Sequence, residues 1–246
     1  MTSDPAAAEG FYKEIVGWGT DIWEGGEMPY TMFTNAGTAL GGVMMLPEEA
    51  KAQGAPSNWM AYVAVPDTNE TVAKAKELGA TVYVEPTEIP NAGAFAVLGD
   101  PQGAVFAVFT SKEEAADLDK PPAQGEFSWH ELATTDHESA FDFYADLFGW
   151  QKTEAMDMGE AGIYQMYGCG TLPLGGMYNK PAEMPAPPHW LHYIKVEDVN
   201  ATVEKVKELG GQVLAGPMEV PGGDWIAQCV DPQGAAFALH SSASGS

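Results

Sequence analysis

Apolar residues along this chain recur with two periods that alternate. After Asp136, the residues Ala140, Phe143, Tyr144, Leu147 and Phe148 fall at helical spacing and stop at Gly149, which predicts an amphipathic helix with an N-cap and a glycine stop. Ala8, Phe11, Tyr12, Ile15 and Val16 repeat this pattern after Asp4, with Pro5 suited to the first helical position. Strand-like runs follow around Tyr164 to Tyr167 and Leu174 to Tyr178, with glycines between them. A second unit opens with a strand from Trp190 to Val196. It continues with a helix from about Val199 to Leu209, stopped by Gly210 and Gly211. Strands from Trp225 to Val230 and from Ala235 to His240 then flank the turn Asp231-Pro-Gln-Gly234. Asp67 and Glu70 predict a capping box for the matching helix of the first half. The pattern is α+β, with two βαβββ units in each half.

The halves are one sequence used twice. The run WMAYVAV from Trp59 to Val65 returns as WLHYIKV from Trp190 to Val196, and Asp100-Pro-Gln-Gly103 returns as Asp231-Pro-Gln-Gly234. Phe11-Tyr12 and Gly17-Trp18 answer Phe143-Tyr144 and Gly149-Trp150, and Gly41-Gly42 answers Gly175-Gly176. A repeat this long exceeds the roughly 20 to 50 residues of a solenoid or propeller, so each copy is expected to be a compact domain with its own core. The expected layout is a first domain over 1–110, a linker over 111–124 rich in charge and carrying Pro121-Pro122, a second domain over 125–241 and a tail over 242–246. Before Asp136 stands the strand from Phe127 to Ala133, whereas only three residues precede Asp4. The first copy is therefore expected to lack its opening strand, through a late start, a truncation or a strand from another chain. A sheet short of a strand leaves unpaired backbone groups at its edge, which also makes a homodimer an expectation.

Charge narrows the partners. Eleven basic residues stand against 35 acidic ones, for a formal charge of −24, which repels phosphate backbones and anionic lipid. All eleven are lysine, so no planar guanidinium is present to grip carboxylates or phosphates. Nucleic acid and membrane are not expected as partners, and multiply anionic ligands are disfavoured. Cys169 and Cys229 have no counterparts in the first copy and suggest no disulfide framework. With no apolar leader and no run near the roughly 18 residues of a membrane span, the expected location is the cytoplasm.

The helix signature Phe143-Tyr144-x-x-Leu147-Phe148-Gly149-Trp150, the paired βαβββ units and the late Asp-Pro-x-Gly turn followed by Phe237 resemble the vicinal oxygen chelate superfamily. Glyoxalase I, extradiol dioxygenases and bleomycin-resistance proteins belong to it. The resemblance implies that two βαβββ units wrap a half-barrel around a small ligand, often with a divalent metal held on the first and last strands. The positions it implies for ligands are occupied by Trp129, by Leu191 or Met60, and by Ala238 or Ala107, none of which binds a metal ion. No Asp, Glu or His occurs from Ile163 to Ala182, where a fourth ligand would stand, nor from Met28 to Leu46. No metal and no other cofactor is therefore expected.

All five histidines, His130, His137, His189, His192 and His240, lie in the second copy. Strand alternation places Glu131, Tyr193 and His240 on the barrel side and turns His192 away. Glu131 and His240 read either as a solvent-touching pair at the barrel mouth or as a general acid and base acting on a bound ligand. A shifted register would instead make Glu131, His192 and His240 a metal triad. Trp129, Tyr164, Met166, Met177, Tyr193 and Trp225, with Tyr62 from the first copy, are candidates to line an apolar cleft or to fill core. The expected function is binding of a small apolar or aromatic molecule without metal, by a binder or a metal-independent enzyme. The alternatives are a metal-dependent lyase of the lactoylglutathione kind, an extradiol-type dioxygenase, or a purely sequestering role.

Overall fold

The computed structural model describes residues 1–25, 30–52, 54–112 and 120–243. Residues 113–119 of the expected linker and 244–246 of the expected tail lie outside the described residues.

The four long helices start where the sequence supplies caps. Asp4 accepts from Ala7 N at the start of α1 (Pro5–Val16), and Asp136 accepts from Ser139 N at the start of α4 (His137–Phe148). Gly17 and Gly149 end them in the left-handed region at φ 85° and 76°, a conformation that costs a residue with a Cβ. Asp67 and Asp198 cap α3 (Thr68–Glu77) and α5 (Val199–Glu208) in the same way. A further short helix, α2 (Glu48–Ala52), was not anticipated from the pattern.

Each long helix belongs to one βαβββ unit. In the first copy, α1 precedes β1 (Gly19–Trp23), β2 (Tyr30–Asn35) and β3 (Thr38–Val43). The strand β4 (Tyr62–Ala64) precedes α3, β5 (Thr81–Ile89), β6 (Gly93–Gly99) and β7 (Val105–Ser111). In the second copy, β8 (Phe127–Thr134) precedes α4, β9 (Gln151–Asp157), β10 (Ile163–Cys169) and β11 (Leu172–Asn179). Last, β12 (His189–Lys195) precedes α5, β13 (Gln212–Glu219), β14 (Trp225–Val230) and β15 (Ala236–Ser241). The first strand of a unit pairs in parallel with its last, as in β8 with β11, β12 with β15 and β4 with β7, and the other pairs are antiparallel. The first unit opens directly on α1. Thr2 forms one parallel bridge with Met45, matching Thr134 with Asn179 in the β8–β11 ladder. The bond from Leu46 N to Thr2 O, at 2.8 Å, repeats that from Lys180 N to Thr134 O.

The cores do not follow the copies. One compact unit comprises Met1–Trp59, Pro121–Ser128 and His192–Ser246, and the other comprises Met60–Lys120 and Trp129–Leu191. The first core joins Phe11, Tyr12, Ile15, Trp18 and Phe33 of copy one to Ile194, Val199, Val203, Val206, Phe237 and Leu239 of copy two. The second joins Val72, Leu98, Phe106 and Val108 of copy one to Leu132, Phe143, Tyr144, Leu147 and Met177 of copy two. This corrects the expectation that each copy has its own core. A βαβββ unit has only one apolar helix face and one sheet to bury, so it needs a second unit. Here each takes its partner from the other copy.

The repeated motifs are what hold these partnerships together. Asp100 Oδ1 accepts from the backbone N of Gln102, Gly103 and Ala104, fixing the Asp-Pro-Gln-Gly turn. Its Oδ2 accepts from Tyr144 OH at 3.0 Å, and Tyr144 OH in turn accepts from Trp190 Nε1 at 3.1 Å. In the other unit Tyr12 OH donates to Asp231 Oδ2 at 3.0 Å and accepts from Trp59 Nε1 at 2.7 Å. Each bond from tyrosine to aspartate therefore joins one copy to the other. Burial pushes both phenols far above their ordinary range, and the neighbouring carboxylate adds to that. They stay protonated donors.

Candidate functional site

The unit formed by residues 60–120 and 129–191 contains the best-defined polar group in an apolar setting. On β8, Glu131 is only 8% exposed. Tyr164, on the neighbouring hairpin of β10 and β11, donates its hydroxyl to Glu131 Oε2 at 3.1 Å, and Trp129 Nε1 donates to Tyr164 OH at 2.7 Å. A buried carboxylate needs such donors because an unpaired one is costly. The ring of Tyr178 stacks on that of Tyr164 with centroids 6.1 Å apart. Burial, and after it the negative charge of Glu131, push the Tyr178 phenol up to about 12.

The glycine pair of the sequence motif makes room for this arrangement. A Cβ on Gly176 would stand 2.1 Å from the Tyr164 ring, and one on Gly175 would stand 1.8 Å from the carbonyl oxygen of His130. Gly42 lies under Tyr30 in the same way. Beside the hydrogen-bonded chain, a pocket of about 340 Å³ is lined by Trp129, Thr153, Glu154, Met166, Thr171 and Pro173. Trp129 belongs to both, so a molecule in the pocket meets an aromatic wall whose N–H is already committed to the Tyr164 hydroxyl.

The remaining candidates separate by unit. Tyr62 is exposed and keeps company with Phe95 and Phe109. Met177, expected in the cleft, is fully buried in the core instead, because its side of β11 faces α4. His240 and Glu131 were expected to converge, yet the structure gives each its own partners. In the unit formed by residues 1–59, 121–128 and 192–246, His240 Nδ1 lies 2.9 Å from Ser128 Oγ, and its Nε2 lies 3.0 Å from Asp224 Oδ2. Tyr193, directly opposite Ala238 in the β12–β15 ladder, is 2% exposed and accepts a hydrogen bond from Gln228 Nε2 at 3.2 Å. It is filled in rather than open to ligand. Trp225 packs against the first core, which again replaces a cleft role with a packing one. Ser128 and Asp224 are the residues that sequence reasoning missed. Nothing in their local pattern marks them, since one lies at the start of β8 and the other in the turn before β14.

A divalent metal of the kind the family resemblance implies does not fit these side chains. Among the described residues no three of His, Cys, Asp or Glu stand together. Glu131 already accepts from Tyr164, and Trp129 occupies the position where a first-strand ligand would be needed. The shifted-register triad of Glu131, His192 and His240 does not form. His192 is buried with its ring beside Phe127.

Similarity to known proteins agrees with this architecture. Residues 126–239 match the model of the Glyoxalase/Bleomycin resistance protein/Dioxygenase superfamily, and residues 1–109 match a Glyoxalase-like domain. A Mycobacterium bovis protein named "Putative glyoxylase CFP32" is 33% identical over 243 residues, spanning 97% of this chain and 91% of that protein. The anthracycline biosynthesis protein DnrV of Streptomyces peucetius is 30% identical over 249 residues, spanning 96% of this chain and 88% of its own. Among solved structures, the Mn(II)-bound glyoxalase from Novosphingobium aromaticivorans superposes with a TM-score of 0.60 at 17% identity, covering 98% of this chain and 79% of that one. The 2,2',3-trihydroxybiphenyl 1,2-dioxygenase of Sphingomonas wittichii does so with 0.64 at 14% identity, covering 96% and 85%. At such identities the structures show a shared fold, while the closer sequences and the two matching models place both copies in one family. The chain belongs to the glyoxalase/bleomycin resistance protein/dioxygenase superfamily, the vicinal oxygen chelate group, as a tandem member.

Proposed function

We propose that this protein binds a small, mostly apolar aromatic molecule bearing a hydroxyl group, without a metal, in the pocket beside Glu131. The observation that carries this reading is the half-buried chain from Glu131 through Tyr164 to Trp129, whose Trp129 end lines a pocket of about 340 Å³. A pocket of this size suits a drug-sized molecule. Trp129 and Met166 offer apolar and aromatic contact, and Trp129 connects the pocket through the Tyr164 hydroxyl to the Glu131 carboxylate. The net charge of −24 and the absence of arginine favour uncharged ligands over anionic ones. The relative named for anthracycline biosynthesis supports an aromatic ligand. If the ligand reacts, the base we assign is Glu131, acting through the Tyr164 hydroxyl that it accepts from.

A panel of hydroxylated polycyclic aromatics, followed by quenching of tryptophan fluorescence, tests this. At least one is expected to bind, and Glu131→Gln is expected to weaken it by about tenfold or more, the scale of a hydrogen bond to a charged group. Equal affinity in Glu131→Gln, or no binding across the panel, would reject the assignment. Metal analysis of freshly purified protein tests the other half. One tightly held Zn, Fe, Ni or Mn per chain would overturn the metal-free reading.

A further inference from the structure

The unit that does not carry the Glu131 pocket contains a separate constellation. Ser128 Oγ, the His240 imidazole and the Asp224 carboxylate form a continuous chain with contacts of 2.9 Å and 3.0 Å. The two ring nitrogens of His240 are thus divided between a hydroxyl and a carboxylate. The second oxygen of Asp224 accepts from the backbone N of Ala243 at 2.9 Å, so the carboxylate is oriented independently of the histidine. The turn from Val220 to Asp224 is closed by bonds from Val220 N to Asp224 O and from Gly223 N to Val220 O. Asp224 is thereby set in a fixed frame.

We propose that Ser128, His240 and Asp224 form a serine nucleophile, general base and orienting carboxylate that cleave small uncharged esters. The order of groups is what such chemistry needs. A serine hydroxyl is a weak nucleophile until an adjacent base takes its proton, and the base works best when a carboxylate fixes its tautomer and stabilises its charged form. Either imidazole nitrogen can serve as the base, provided that the other faces the carboxylate. Burial pushes the Asp224 carboxyl up, but the hydrogen bonds from His240 and Ala243 and the charges of His240 and Lys195 outweigh it and hold the group below its usual range. It is ionised at neutral pH. Lys195 is paired with His240 in the β12–β15 ladder and so leaves the sheet on the same face. Its ammonium donates to the carbonyl oxygen of Pro122 at 3.2 Å, and its charge helps keep Asp224 ionised. The histidine side chain is 19% exposed and that of Asp224 is 41% exposed, while Ser128 is half-buried. All three side chains are thus reached by solvent, and the net charge of −24 disfavours anionic substrates.

In the reaction, the Ser128 O–H proton passes to His240 Nδ1 as Oγ bonds to the ester carbonyl carbon. The bond to the leaving alkoxide breaks, and the alkoxide takes that proton from the imidazole and departs as the alcohol. Water then attacks the acyl-serine, giving a proton to the imidazole. The acid leaves as the serine oxygen recovers its proton. The sum is ester and water to acid and alcohol, with no other reactant.

A fluorophosphonate probe with peptide mass mapping, together with 4-nitrophenyl acetate hydrolysis, tests the proposal on the full chain. Wild-type protein is expected to be labelled at Ser128 and to release nitrophenol with a stoichiometric burst. Ser128→Ala should lose both, and His240→Gln should lower the rate by about 100-fold or more, the scale of a positioned general base. Asp224→Asn acts through the histidine. It should lower kcat with little change in KM and move the acid limb of the pH–rate profile to lower pH, a shift that loss of packing alone does not give. Ser128→Cys should keep a nucleophile, read as rapid alkylation of residue 128 by iodoacetamide at pH 7. Absence of label at Ser128 in the wild type, or hydrolysis unchanged in Ser128→Ala, would overturn the proposal. If Ser128→Ala does not fold, the wild-type mapping decides alone.

Discussion

His130 shows how one side chain sets a pH limit. It is half-buried beside Gly175, and desolvation lowers its pKa from 6.5 to about 4. The unfolded chain therefore binds a proton on this residue between about pH 6.5 and 4 that the folded chain refuses. Stability from this source is complete above pH 6.5 and is lost as the pH falls toward 4, by up to about 3 kcal/mol. Urea unfolding of wild type and His130→Gln between pH 4 and 7.5 should show the wild type losing this extra stability as the pH falls, with the difference levelling off near pH 7. A difference independent of pH would contradict it. The glycines of the β10–β11 hairpin make a second point at this scale. Gly176→Ala would put a methyl group into the ring of Tyr164, so it should weaken ligand binding in the same direction as Glu131→Gln. Equal binding by wild type and Gly176→Ala, measured by the same fluorescence titration, would contradict this. The glycine pair was visible in the sequence as a repeat, yet its purpose was not, because a close approach between a backbone and a ring on the next strand leaves no local pattern. The same holds for Ser128 and Asp224, which meet His240 only through the fold.

At the scale of elements, caps, turns and helix faces were legible because each is a local contest between backbone and side chain. Asp4, Asp67, Asp136 and Asp198 cap the helices that the apolar stripes predicted. The opening strand missing from the first copy corresponds to a sheet of three strands, β1 to β3. Strand alternation grouped Glu131 with Tyr193 and His240 and put Met177 in the cleft, but it could not tell a lined cleft from a filled one, and Met177 and Tyr193 went to packing while Tyr178, on the other face of β11, stacks on Tyr164. The shared motifs Phe-Tyr, Trp and Asp-Pro-Gln-Gly turn out to be one device, a tyrosine clamped between an aspartate that holds a turn and a tryptophan on a strand. Tyr144→Phe would leave the Asp100 oxygen and the Trp190 N–H buried without their partner. We expect a loss of about 2 to 4 kcal/mol, measured by chemical denaturation. Tyr12→Phe should cost a similar amount by removing the same contacts to Asp231 and Trp59. The two losses should add, since no hydrogen-bond partner is shared. A cost below about 0.5 kcal/mol for either would mean that the clamp is ornamental.

For the whole molecule, the exchange of units between copies has a consequence that a tandem sequence hides. Duplication suggests two domains joined by a tether, in which either half would survive alone. The cores instead pair α1 with α5 and its strands, and α3 and its strands with α4. A fragment carrying 1–110 thus holds half of each core, and a fragment carrying 125–246 holds the other halves. Each exposes two apolar faces that the other was meant to cover, and burial at roughly 25 cal/mol per Å² of apolar surface is what such faces forgo. At low micromolar concentration, where sedimentation shows a monomer, neither fragment should unfold cooperatively or show near-UV circular dichroism. Mixing them should restore both signals, with one complex of each fragment. Cleavage of the intact chain between 112 and 120 should then leave the halves associated, because the contacts that join the copies run through each core and through both aspartate clamps. A monomeric fragment with a cooperative transition of its own would show that a copy can close its core by itself. In that case the exchanged pairing would not be what holds the protein together.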